Sequence, residues 1–270
     1  MRRLIGIVLL LTLLWAAPSH AALTFFWACE STTLASGTTD FSPDTSATGG
    51  GTSPSITAGA AIIGTNGCEF NNATGGEHYR FSNAGHQIVS NTAGSIALGF
   101  NMATRAANGT LFYIQGASSG NDHIQIFTTA TDELKCQIKS NNGGTPVTAS
   151  ATTTAFNFSL STTYWVTCGW DVGANQIKIC VYDNTGAQLD TTCRTGSGLV
   201  APTDLTLSDA FRIGETSGAS QTENIDNIFV WDTLAGADSC FLSNRTITAY
   251  SSYTCGSSVV PRGMLLGVYP

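Results

Sequence analysis

The sequence predicts an all-β protein built as an antiparallel β-sandwich, and three observations carry that expectation. Apolar residues alternate with polar ones at period two in one short segment after another, as in Leu134, Cys136 and Ile138 of ELKCQIK. Gly, Asn, Asp and Ser cluster between these segments, where they supply turns. Nothing in the chain requires a long helix; a turn or two fits near Ala235–Tyr250.

Residues 1–21 read as an export signal: Arg2 and Arg3 precede the apolar run Leu4–Trp15, and Ser19-His20-Ala21 offers a small-x-small cleavage site. The apolar run is short for a membrane span, which makes an uncleaved anchor the competing reading. Cleavage takes away two of the eleven basic residues and none of the eighteen acidic ones, leaving a net charge of −9. An acidic surface poor in Lys argues against nucleic acid or an anionic membrane as partner. No second long apolar run follows, so the mature chain is expected to be soluble and secreted, either extracellular or periplasmic. Residues 22–255 read as one domain, because no Pro-rich or charged linker divides them.

Leu23–Trp27 is a first apolar strand, and Ser31–Ser55, rich in Ser, Thr and Gly, reads as a long loop. Ile56–Ile63 is expected to be a strand, ended by the turn Gly64–Gly67. Tyr79–Phe81 and Gln87–Val89 flank the turn Ser82–Gly85. Ser95–Met102 puts Ile96, Leu98 and Phe100 on one face. Thr110–Gln115 and His123–Thr128 form a hairpin around GASSGND, followed by Glu133–Lys139 and the flat, polar Thr145–Thr154.

Thr162–Cys193 organises the chain as three consecutive strands. Tyr164, Val166, Cys168 and Trp170 alternate with their neighbours; Ile177, Ile179 and Val181 oppose Lys178, Cys180 and Tyr182; Gln188–Cys193 runs back after Asp183-Asn184-Thr185-Gly186. Such a meander needs a facing sheet. Phe211–Gly214 and Ile225–Trp231 complete the strands.

These residues carry a resemblance. YWVTCGWD, a turn, and IKICVYDNTGAQL resemble the central hairpin of laminin-G-like, concanavalin A-like jelly-roll domains of the lectin–glucanase group. NIDNIFVWDTL is similar to their last strand, and EHYRFSNAGHQIVS more loosely to an early one. The resemblance spans Leu23 to Tyr253 and implies a jelly-roll β-sandwich that binds glycans or proteins outside the cell. It also implies that the first strand pairs near the last, with Trp27 and Trp231 as core neighbours.

Eight cysteines after an export signal, with no C-x-x-C, read as disulfides. The hairpin places Cys180 nearly opposite Cys193, and Cys240 with Cys255 brackets the C-terminal segment. Cys29–Cys68 and Cys136–Cys168 are what remain, out of 105 conceivable pairings.

Catalytic signatures are thin. The laminarinase-type hydrolases of this fold group need two carboxylates on one strand face. The nearest candidates here, Glu223 and Asp226, fall on opposite faces. His78, His86 and His123 have no G-x-S-x-G or thiol partner. The expectation is therefore a non-catalytic binding or adhesion module. Tyr113, Trp170 and Tyr182 are the candidate sugar platforms, against the plainer reading of each as strand packing. A structural Ca²⁺, as the resemblance implies, would draw on Asp40, Asp44 or Asp226, otherwise solvated or turn-forming carboxylates. Asn72, Asn108, Asn157 and Asn244 begin N-x-S/T sequons. The tail 256–270 holds Val259, Val260, Met264, Leu265 and Leu266. It either packs on its own sandwich or extends a neighbouring subunit's sheet, which would make the protein a subunit of a surface assembly.

Overall fold

The computed structural model describes residues 22–31, 43–47, 54–71, 76–81, 91–104, 108–115, 122–140, 147–153, 156–190, 193–202, 211–214, 221–234 and 240–255. The signal, the tail, Asp40, His86 and Gln87–Val89 lie outside them. Among the described residues no helix is long and apolar enough to cross a membrane.

Among the described residues, fifteen strands form two antiparallel sheets: β1 (Leu23–Trp27), β2 (Pro43–Ala47), β3 (Ser55–Thr57), β4 (Gly67–Asn71), β5 (Glu77–Phe81), β6 (Ala93–Thr104), β7 (Thr110–Gln115), β8 (His123–Thr128), β9 (Leu134–Ser140), β10 (Val147–Thr152), β11 (Thr163–Asp171), β12 (Gln176–Asp183), β13 (Arg194–Gly196), β14 (Phe211–Gly214) and β15 (Thr222–Trp231). The eight-stranded sheet runs β13-β12-β11-β6-β15-β4-β3, with β1 also paired to β15; the seven-stranded sheet runs β10-β9-β8-β7-β14-β5-β2. This is the jelly-roll β-sandwich.

Alternation decides what lies between the sheets. Phe25, Phe70, Leu98, Phe112, Ile126 and Ile138 all turn inward into one core. At one edge the sheets almost touch: a Cβ on Gly196 of β13 would lie 2.1 Å from the Ser150 carbonyl oxygen of β10, so only glycine fits. Closing this edge shields strands that would otherwise invite pairing with another chain.

The eight-stranded sheet has a second covered face. Phe26, Trp165, Tyr182, Phe229 and Trp231 point away from the main core into a separate apolar cluster. The C-terminal segment caps it through the one-turn helix α1 (Phe241–Asn244), whose Phe241 ring lies 5.6 Å from Trp165 and 5.8 Å from Tyr182. The Trp231 indole N–H donates to the Tyr253 hydroxyl at 2.7 Å. Buried Asn244 donates to the Cys240 carbonyl at 2.7 Å and accepts from the Thr254 N–H at 3.0 Å, so its sequon is spent on holding this cap.

The structure joins Cys29–Cys68, Cys136–Cys168, Cys180–Cys193 and Cys240–Cys255, the pairs reached from the sequence. Cys136–Cys168 ties β9 to β11 and so bolts the two sheets together. Cys240–Cys255 clamps the cap. In the chain-entropy account, each loop of this size contributes about 3 kcal/mol by restricting the unfolded chain.

Several expectations are corrected. β1 does pair with β15, but Trp27 opposes Ile228 and lies in the main core, whereas Trp231 opposes Leu23 and faces the second cluster. The two tryptophans are on opposite faces of the sheet. Within Ser31–Ser55, β2 pairs with β5 as an edge strand although PDTSA has no alternating apolar pattern. Of Ile56–Ile63 only Ile56 and Thr57 are strand, and a 3-10 turn at Ala58–Ala60 follows. Gly67, placed in a turn by the sequence, instead begins β4, which pairs with β15. The third strand of the meander is β13; Gln188 makes only a single bridge to Tyr182.

Candidate functional site

The outer face of the seven-stranded sheet is the surface the strands leave open. Its side chains follow from the inward positions. Phe112 and Ile114 turn in, so Tyr113 turns out; inward Ile124 and Ile126 set buried His123 and half-buried Gln125 on the outer side; inward Cys136 and Ile138 do the same for half-buried Lys135, Gln137 and Lys139. Inward Ile213 leaves Arg212 outward, and inward Tyr79 does the same for Arg80.

Register aligns these residues. Arg80 opposes Arg212, Arg212 opposes Tyr113, Tyr113 opposes Gln125, Gln125 opposes Gln137, and Gln137 opposes Ser150. One row thus crosses six strands, on the order of 24 Å at the usual interstrand spacing. Arg80 is exposed, and the other five are half-buried. Asp44 of β2 stands at the register position beyond Arg80.

The row is organised before any ligand arrives. The Arg212 guanidinium carbon lies 6.0 Å from the Tyr113 ring centroid, and the Tyr113 and His123 rings are 5.5 Å apart. Gln125 donates to the Thr110 hydroxyl at 2.8 Å, and the Gln137 amide nitrogen lies 3.2 Å from His123 Nε2. Burial pushes the Tyr113 phenol up, and the Arg212 charge pulls it partly back. Tyr113 is thus a neutral hydroxyl on a flat ring. The chemistry offered is a ring for the apolar face of a sugar, amides for hydroxyls, and cations for anionic oxygens. Two neighbouring carboxylates, the tool of glycoside hydrolysis, are not among the described residues of this face.

Of the three sugar platforms expected from the sequence, only Tyr113 is on this surface. Trp170 is fully buried between the sheets against Gly94, and Tyr182 is buried under the C-terminal cap. Both are corrections with one cause: a large aromatic in a paired strand is drawn to whichever face is covered, and here both faces of β11 and β12 are. Sequence reasoning missed Arg80, Arg212, Gln125 and Gln137. The available signal was their alternation with Tyr79, Ile213, Ile126 and Ile138.

The remaining candidates have other employment. Glu223 faces the inter-sheet space and accepts from the Gln221 amide at 2.7 Å. Asp226 faces the opposite side, where its Oδ2 accepts from the Ile62 and Ile63 N–H groups at 3.0 and 2.9 Å, and its Oδ1 from the Asn227 N–H at 2.8 Å. A carboxylate ringed by N–H donors does not fit a calcium site, which needs oxygen ligands around the ion. No group of three or more His, Cys, Asp or Glu that could hold a metal occurs among the described residues.

No protein-family model matches the sequence, and no curated protein matches it. Solved structures do. The chain superposes on domain 4 of AbnA, a GH43 extracellular arabinanase from Geobacillus stearothermophilus, in complex with arabinotriose, with a TM-score of 0.57, 15% identity and coverage of 80% of this chain and 94% of that one. The binding domain of botulinum neurotoxin serotype D gives a TM-score of 0.52 at 10% identity, covering 79% of this chain and 49% of that one. Domains LG4-5 of the mouse laminin alpha1 chain match at a TM-score of 0.36 and 17% identity, over 52% and 35%. At these identities the likeness is one of fold.

Proposed function

We propose that the protein is an exported, non-catalytic binding module for glycans, including those carried by extracellular proteins, and that the open face of the seven-stranded sheet is its ligand surface. The row from Arg80 to Ser150 carries this reading: an aromatic ring flanked by guanidinium and amide groups, ordered by strand register, with Arg80 exposed and the others half-buried. Four disulfides fit an oxidising compartment, secreted or periplasmic. The AbnA domain shares the fold and was solved with arabinotriose, which supports sugar binding on such a scaffold without naming the sugar for this one.

The test is a glycan array probed with the mature chain and with Tyr113→Ala, with and without Ca²⁺. The expected result is a set of hits that weaken at least tenfold in Tyr113→Ala while the unfolding temperature holds. Hits indifferent to both Tyr113→Ala and Gln125→Ala would move the site elsewhere, and release of reducing sugar would overturn the non-catalytic reading.

A further inference from the structure

The same face is basic on an acidic chain. Arg80, Arg212, Lys135 and Lys139 are four of the eleven Lys and Arg in a protein of net charge −7, yet all four point outward from strands β5, β14 and β9.

Two details sharpen this. Arg80 and Arg212 are directly opposed on antiparallel strands, which puts their Cβ atoms about 5 Å apart, and like charges in that position repel. Arg212 Nε is buried and has no hydrogen-bond partner among the described residues. A desolvated guanidinium N–H with nothing to bond is costly, and an arriving acceptor would relieve that cost.

We infer that the Arg80–Arg212 pair reads a carboxylate on an acidic sugar, with Tyr113 stacking on the ring that bears it. This rests on the glycan-binding reading of the face and adds the chemical class of the ligand. Planar guanidinium forks match the two oxygens of a carboxylate, whereas lysines would serve any anion as point charges. The adjoining ring and the Gln125 and Gln137 amides suit a sugar acid rather than a free anion.

The mature chain would be titrated calorimetrically with tetragalacturonate, 3′-sialyllactose, a sulfated oligosaccharide, and neutral tetragalactose and lactose. At least one carboxylated sugar is expected to bind tenfold or more tightly than its neutral counterpart, the preference shrinking as salt rises. Arg212→Gln and, independently, Arg80→Gln should abolish the preference while the unfolding temperature holds, which shows that the variants fold. Arg212→Lys keeps the charge but should still lose most of the preference. Equal binding of acidic and neutral sugars, or sulfate preferred over carboxylate, overturns this inference and leaves the glycan-binding module standing. Binding of none of the sugars, together with an empty array, overturns both.

Discussion

Asp226 should make the protein less stable as pH rises through neutrality. It sits fully buried at an irregularity in β15, where Asp226 opposes Gly99 and pairing resumes only at Phe229. Burial pushes its carboxyl from 3.8 up to about 7; the Ile63, Ile62 and Asn227 N–H donors pull the other way, and the negative charge of Glu30 adds to the rise. The folded chain therefore holds this proton more tightly than the unfolded chain. The stabilisation from that difference is complete below about pH 4 and is lost as pH climbs towards 7. A gap of about three pH units corresponds to on the order of 4 kcal/mol, a large part of the 5–15 kcal/mol typical of a folded domain. Asp226→Asn removes the titration and keeps an oxygen for the Ile62 and Ile63 N–H groups. It turns an NH2 towards the Asn227 N–H, a pH-independent cost of about 1–3 kcal/mol. Urea midpoints and slopes measured from pH 4.5 to 8.5 with disulfides intact would separate the two effects. The wild-type advantage over Asp226→Asn should be greatest at pH 4.5 and shrink by several kcal/mol by pH 8.5. A gap between the two proteins that does not change with pH would refute the argument and identify Asp226 as an ionised anchor sustained by its three donors.

Two further outcomes follow from packing. Gly94 opposes Trp170, and a Cβ there would lie 2.4 Å from Cζ2 of an indole with no room to retreat; Gly94→Ala should lower the unfolding temperature by roughly 5–10 °C in a thermal melt. Gly59, whose added Cβ meets nothing nearer than 4.0 Å, is the control and should accept Ala with little change. Asn227 adopts a φ of 48° and donates to the Arg245 and Ile247 carbonyls, both at 2.8 Å, pinning the C-terminal cap. Asn227→Gly tolerates that φ but loses both bonds, so amide exchange in residues 245–253 should speed up about tenfold or more; Asn227→Ala should be less stable still, by about 1–2 kcal/mol in urea melts.

Strands were legible where one face is buried and the other wet. β9 alternates without a break and β7 does so from Phe112 to Gln115, because water touches one side of that sheet. In β15 the run Ile228–Trp231 is buried on both faces, so period two carries no information about which face is which. That is why Trp27 and Trp231 were placed together, and why Trp170 and Tyr182 passed for surface platforms. β2 was invisible for the opposite reason: PDTSA has no alternating apolar pattern, and the strand shows only through its pairing with β5. The disulfides were legible because two pairs follow from a hairpin and a terminal bracket, and four cysteines then remain. The candidate site was not. Its arginines reach one another only through the β5–β14 pairing, and no local pattern announces a register between strands so distant in the chain.

The two outer faces have been given opposite fates, and the chemistry of each explains the other. A jelly roll exposes two broad sheet surfaces, and large aromatics left open on either would be an aggregation hazard. On the eight-stranded sheet Trp165, Phe229 and Trp231 are roofed by Phe241 and Tyr253, with Cys240–Cys255 keeping the roof closed. That roof occupies the very surface on which a ligand would lie. The seven-stranded sheet carries Gln, Lys and Arg at its outward positions, with Tyr113 beside Arg212 and His123 and Phe127 beneath the Lys135 ammonium. A polar face can stay open to solvent without promoting association; an aromatic one cannot. The division would leave the proposed binding surface to the seven-stranded sheet, on a chain whose net negative charge discourages anions from settling elsewhere.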